Sequence, residues 1–178
     1  METLLTTQIK KATHSYAPKM SAMRTIRYAD EITTPSGIVD SIRFEDIDIG
    51  NVECRNPNTC NWSDRKDNGC KSCMFRHHQV KTRMLITCFE VKISMSDFHS
   101  GHGSNFWGHM NYYCVPGEMA PLVAKELEFD SKVGILSWDG KHLRKYRPAQ
   151  YVEVADGIQI MLLYNALKKW CDGVQKPD

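Results

Sequence analysis

No run of apolar residues in this chain approaches the ~20 needed to span a bilayer. The longest, Val133 to Trp138 and Ile158 to Tyr164, suit one strand and one core helix. Net charge is almost absent. The 23 Lys and Arg stand against 21 Asp and Glu, leaving a formal +2, so no global basic field announces a nucleic-acid ligand. A local basic face would still suffice for phosphate contacts. Internal repeats and low-complexity tracts are missing as well, which argues against a repeat array. The segment Met1 to Leu5 lacks the charged start and long apolar stretch of a secretory signal. A cytoplasmic protein with no membrane partner is therefore expected.

What is present is ordinary globular material. The 178 residues fit one domain, 42% are hydrophobic and 25% charged, and four Trp, seven Tyr and six Phe supply large core side chains. Seven cysteines form an odd set. In a reducing compartment, clustered cysteines read as metal ligands before disulfides.

Leu4, Leu5, Ile9, Ala12 and Tyr16 have the spacing of a short amphipathic helix, which Pro18 closes. Residues 23–32 read as a strand, Thr33 to Gly37 as a turn, and residues 38–44 as the second strand of a hairpin. From about Asp46 to Gln79 the chain is poor in aliphatics and rich in Asn, Asp, Lys, Arg and Cys. Such a stretch cannot bury a core of its own. A strand over 84–94 follows, then a Gly/His/Ser-rich loop over 98–105, and a strand over 111–115 ending at Pro116. The rest reads as a helix over 117–127, a strand over 132–138 with an Asp139-Gly140 turn, a loop or edge strand over 143–154, and a helix over 157–171 with Asp156 as cap. This order predicts an α/β fold in a single domain, 1–178, with a mixed sheet flanked by helices and an insertion at 46–80.

Within Cys88-Phe89-Glu90-Val91-Lys92-Ile93, two opposite charges interrupt an apolar strand. Residues i and i+2 of a strand point to one face, so Glu90 and Lys92 emerge side by side. Phosphodiester hydrolysis needs such a group. A carboxylate holds Mg²⁺, a hard oxygen-seeking ion, and a lysine orients a water or offsets charge growing on the phosphate. A second carboxylate should converge from a neighbouring strand, and Asp40 after the Pro35–Gly37 turn is the candidate. Alone, Glu-x-Lys also describes a solvated strand face.

The surrounding residues resemble a known family. Phe89 to Phe98 is similar to the E-[IV]-K-x-S-x-x-D-F signature of MmcB-like DNA repair proteins and related phage proteins, members of the PD-(D/E)XK, or restriction-endonuclease-like, superfamily. The similarity runs on through Asn105-Phe106-Trp107-Gly108-His109 and Asn111-Tyr112-Tyr113-Cys114-Val115-Pro116. Gly37-Ile38-Val39-Asp40 sits where the family has a turn followed by an aspartate-bearing strand. The resemblance spans roughly 24–134, with 90–116 its specific part. It implies a restriction-endonuclease-like fold and a Mg²⁺- or Mn²⁺-dependent nuclease acting on DNA in repair, recombination or phage DNA metabolism. Asp40 and Glu90 would ligate the metal, with the Val91 carbonyl a third donor, and Lys92 would be the catalytic lysine. Asp97 matches the signature aspartate, without an assigned role. Many relatives are dimers, so a homodimer is open. Two features depart from the pattern: the Pro-Asp pair is Val39-Asp40 here, and the gap from Asp40 to Glu90 is longer than a hairpin needs. Glu31 is a possible extra acid.

Cys54, Cys60, Cys70 and Cys73 form C-x5-C-x9-C-x2-C inside the polar insertion. Four thiolates suit tetrahedral Zn²⁺, and Cys70 and Cys73 have knuckle spacing. Metal binding would order a segment too polar to fold by burial. His77 or His78 could replace one thiolate, and an iron–sulfur cluster is a rival. Cys88, Cys114 and Cys171 read as buried core residues.

His99 and His102 follow the Glu90–Lys92 strand, as phosphate contacts or as parts of a polar loop. Arg76, His78, Lys81 and Arg83 form a basic run suited to a DNA backbone, and Lys141, Arg144, Lys145 and Arg147 a second. Two other readings stay open: a DNA-binding or scaffolding module that kept the fold without catalysis, and a zinc-knuckle interaction protein in which Glu-x-Lys is incidental.

Overall fold

Alternation of buried and exposed positions builds the first hairpin. In a computed structural model that describes residues 3–16, 26–48, 82–101, 105–128 and 131–172, strand β1 (Ile26–Thr34) pairs antiparallel with β2 (Gly37–Asp48) through the Pro35-Ser36 turn. Side chains of 46–48 and 82–83 lie outside the description. The chain divides into two units, Met1–Glu45 with Leu85–Asp178, and Asp46–Met84. Only strand ends of the second are among the described residues.

Six strands form one sheet in the order β1-β2-β3-β4-β5-β6. Strand β3 (Thr82–Val91) pairs parallel with β4 (Met110–Pro116), and β4 parallel with β5 (Gly134–Trp138). Strand β6 (Leu143–Arg147) closes the far edge antiparallel to β5. The chain is thus an α/β protein with a mixed sheet flanked by helices.

Helix α1 (Leu4–Ser15) begins at Thr3, whose hydroxyl accepts the Thr6 N–H at 3.2 Å. Its Leu5, Ile9 and Ala12 stripe, continued by Tyr16, packs on Phe89, Val91, Tyr112, Cys114 and Leu136. A second core joins Tyr113, Val115 and Ile135 to Met119, Ala120 and Val123, with Met95 and Phe98 packed against it. Those residues come from α2 (Met95–His99), the 3-10 turn Gly117–Met119 and α3 (Ala120–Glu126). Helix α4 (Asp156–Asp172) lies along β1. Asn165 Nδ2 donates to the Thr33 carbonyl at 2.9 Å and Trp170 Nε1 to the Tyr28 carbonyl at 2.8 Å. No described helix is long and apolar enough to cross a membrane.

Three sequence expectations change. The strand expected to run to Ser94 ends at Val91, and residues 95–99, of which only 98 and 99 had been assigned, to a loop, form α2. The cause is local: Ser94 Oγ accepts the Asp97 N–H at 3.1 Å and starts a helix. The final helix begins at Asp156 itself. Cys171 is exposed on α4, whereas Cys88 and Cys114 are fully buried, because Cys171 lies off the face that buries Leu162 and Ala166.

Candidate functional site

The β2–β3 neighbourhood brings two acids together. Asp40 Oδ2 accepts the backbone N–H of Val91 at 2.8 Å, which holds the β2 aspartate against the end of β3. Glu90 is one residue away, 2% exposed, and its Oε1 has no hydrogen-bond partner among the described residues. Burial pushes the Glu90 carboxyl up to about 9, and the charge of Asp40 and a side-chain hydrogen bond to it add to the rise. Lys92 and Lys10 pull the other way. Beside the Asp40 charge the buried Glu90 carboxyl favours its neutral form, and the two groups titrate as a pair.

Lys92 comes directly after the end of β3 at Val91, only 4% of it is exposed, and its charge acts on Glu90. Its backbone N–H continues the parallel pairing by donating to the Cys114 carbonyl at 3.0 Å. Its Nζ lies 3.4 Å from Asp97 Oδ1, while Asp97 Oδ2 faces the Ile93 N–H at 3.4 Å. Asp97 therefore has a physical role that the sequence left open: it sits at the start of α2 and holds the lysine.

A third charge was not foreseen. Lys10 of α1 brings its Nζ to 3.2 Å from Asp40 Oδ1 and 3.6 Å from Glu31 Oε1. Polar contacts seat α1 for this reach. Thr13 Oγ1 donates to Ser41 Oγ at 3.2 Å, His14 Nε2 lies 2.9 Å from Asp30 Oδ1, and Arg43 donates to the Tyr16 carbonyl. The Arg43 guanidinium pairs with Glu45 at 2.9 Å and lies over the Tyr16 and Phe89 rings, with both charged residues 2% exposed. The helical pattern had marked the apolar stripe of α1, and the polar side next to Ile9 drew no notice.

Glu31 lies between the hairpin pairs Asp30–Ser41 and Ile32–Val39 and adopts φ +55°, in the left-handed region. A non-glycine residue there carries roughly 1–3 kcal/mol of strain, which the surrounding sheet must hold. It also pairs with Lys169 at 3.9 Å. The turn that leads into β2 is pinned from the far side. Asn105 Nδ2 donates to the Ile38 carbonyl at 3.2 Å, and Trp107 Nε1 to Ser36 Oγ at 2.8 Å. A side chain at Gly37 would come within 2.7 Å of Asn105 Nδ2, so glycine is required where this loop clamps the hairpin.

The remaining candidates divide. His99 pairs with Glu126 of α3 at 2.6 Å on the surface. Cys54, Cys60, Cys70, Cys73, Arg76, His77, His78, Lys81 and His102 lie outside the described residues, as does the side chain of Arg83. In the second basic run, Arg144 is committed to Asp139 at 2.6 Å, and Arg147 donates to the Ser131 carbonyl at 2.7 Å. Among the described residues no group of three or more His, Cys, Asp or Glu converges as a metal site. Asp40 and Glu90 supply two neighbouring carboxyl groups at this place.

No family model and no curated protein matches the sequence. The fold does have a solved counterpart. The chain is similar to the SPO1766 protein of unknown function from Silicibacter pomeroyi, at 15% identity and a TM-score of 0.51, over 84% of this chain and 77% of that one. The likeness is one of fold.

Proposed function

We propose that this protein is a divalent-metal-dependent nuclease with a restriction-endonuclease-like fold, hydrolysing phosphodiester bonds of DNA at Asp40, Glu90 and Lys92. The observation that carries the reading is the convergence of the two carboxyl groups, with Glu90 Oε1 buried and unpartnered among the described residues. Residues 51 apart in sequence are joined there by one hydrogen bond. An acid on one strand and Glu-x-Lys at the end of its neighbour, in a mixed sheet flanked by helices, also suits the resemblance in 89–116.

The donor set fits Mg²⁺ or Mn²⁺. Mg²⁺ prefers oxygen and is commonly bound through one or two carboxylates with waters in the other positions. Glu90 Oε1 and Asp40 Oδ1, the latter shared with Lys10, are the oxygens that would hold the ion, with Asp40 Oδ2 accepting the Val91 N–H. The Val91 carbonyl is a further candidate donor. When bound, the ion lowers the pKa of a coordinated water and offsets charge growing on the phosphate. Lys92, kept in place by Asp97, orients the attacking water and donates to a phosphate oxygen. The water oxygen bonds to phosphorus, one P–O ester bond breaks, and the departing oxygen takes the electron pair and a proton. Burial of Glu90 and Lys92 limits bulk water around this step.

We propose further that Cys54, Cys60, Cys70 and Cys73 hold a structural Zn²⁺, on the strength of their spacing and the polar composition between them. Arg76, His78, Lys81 and Arg83 adjoin that segment in sequence as DNA-backbone contacts. The test of the function is incubation of labelled single-stranded, duplex and branched DNA, and RNA, with the full chain and Mg²⁺ or Mn²⁺. The expected result is cutting of DNA that EDTA stops. Metal-independent DNA binding without cutting would favour a non-catalytic binding module.

A further inference from the structure

Both oxygens of Asp40 have partners in this structure. Oδ2 is engaged by the Val91 N–H at 2.8 Å, and the remaining Oδ1 faces the Lys10 ammonium at 3.2 Å. An ion that binds Asp40 through Oδ1 shares, or takes over, the oxygen that Lys10 holds. An ammonium and a divalent cation cannot both lie within a few ångströms of one another in a partly dehydrated site without strong repulsion. The Lys10 side chain is 15% exposed, so bulk water screens that repulsion little.

A second acceptor is ready. Glu31 Oε1 lies 3.6 Å from the same Nζ, on the neighbouring strand of the hairpin. Glu31 reaches this location with a left-handed backbone at φ +55°, a conformation that a glutamate adopts only under constraint. Its other oxygen pairs with Lys169 at 3.9 Å, which keeps the carboxylate oriented from α4. Lys10 thus stands between two acids, one of which belongs to the proposed metal site and one of which is more than half exposed.

We infer that Lys10 is a resident counter-ion of the metal site: it occupies Asp40 in the metal-free protein and is handed to Glu31 when the divalent ion binds. This rests on the metal-site reading above. The two acids have different tasks, Asp40 as ligand and Glu31 as the acceptor for the displaced ammonium. The device keeps the acidic pair neutralised when no metal is present, and it makes loading dependent on metal concentration. A lysine that merely fixed α1 to the sheet would stabilise the fold and leave metal affinity alone.

The experiment is Mn²⁺ binding to the full chain, followed by the electron paramagnetic resonance of free Mn²⁺, at fixed pH and ionic strength. The chains compared are wild type, Lys10→Met, Glu31→Gln, the double variant and Asp40→Asn, with thermal melts in EDTA confirming that each is folded. Lys10→Met, which keeps the stem and removes the charge, is expected to bind Mn²⁺ about tenfold more tightly. Glu31→Gln is expected to weaken binding in the wild-type background and to change it little once Lys10 is gone. Asp40-dependent binding that Lys10→Met leaves unchanged or weakens would overturn the inference while sparing the metal site. Equal weakening by Glu31→Gln in both backgrounds would make Glu31 a ligand and overturn the hand-over. Binding that does not depend on Asp40 would overturn this inference and the proposed site together.

Discussion

The Val91 amide donates to Asp40 Oδ2 at 2.8 Å, so one carboxylate both joins β2 to β3 and presents its second oxygen to the site. The structural and chemical tasks of Asp40 are separable. Asp40→Asn keeps an acceptor for the amide and should cost under about 1 kcal/mol, whereas Asp40→Ala leaves a part-buried N–H unpaired and should cost about 1–3 kcal/mol. Urea unfolding of both variants measures the difference. Both are expected to lose metal binding, since each removes the charge.

Glu90 gives the metal-free protein a distinctive pH dependence. Its carboxyl is raised to about 9 in the folded state by burial and by Asp40, against about 4.3 in an unfolded chain. The folded state holds the proton more tightly, so the stabilisation is fully present below the unfolded value. It is lost as pH rises towards 9. Melts in EDTA should therefore show Tm falling from pH 5 to pH 9, and Glu90→Gln should flatten that slope and melt about 5 °C higher than wild type at pH 8. Added Mg²⁺ should reverse the trend in wild type, because it favours the ionised carboxylate. A wild-type Tm that rises with pH in EDTA would contradict the assignment.

Asp97 acts through Lys92, 3.4 Å away. Asp97→Asn retains an acceptor for the Ile93 N–H and removes the charge that holds the ammonium. Cleavage is expected to fall about 10- to 100-fold, with Mn²⁺ affinity and Tm near wild type. A parallel loss of metal binding would assign Asp97 to the ion instead of the lysine.

The cysteine segment carries its own test. Purified protein should contain about one zinc per chain, and substitution of Cys70 or Cys73 by Ser should release it. Iron and acid-labile sulfide in place of zinc would point to a cluster. Thiols freely reactive in the native chain, with no metal, would remove the site.

The sequence made the skeleton of the site legible because its signals are local. Glu90 and Lys92 are two residues apart at the end of one strand and just past it, and Pro35 to Gly37 marks the turn that delivers Asp40. Helix α2 was hidden because five residues cannot show a period, although Ser94 and Asp97 carry a capping signal. Lys10 was hidden for a different reason. Its partners are 21 and 30 residues along the chain, as the numbering of Glu31 and Asp40 shows, and an exposed-looking lysine on a helix gives no sign of what its long stem reaches. The strain at Glu31 is likewise a tertiary property, since nothing in Asp30-Glu31-Ile32 announces a left-handed residue. Asp97 was visible as a motif residue, but its role needed the lysine's position.

The most direct measurement is cleavage of labelled DNA by wild type, Lys92→Ala and Asp40→Asn side by side, in Mg²⁺ and in EDTA, with DNA binding measured for each chain. The expected result is Mg²⁺-dependent cutting by wild type that both variants lose by about 100-fold or more, with DNA binding retained. Undiminished cutting by Lys92→Ala and Asp40→Asn, or DNA binding with no cutting by wild type on any substrate, would contradict it.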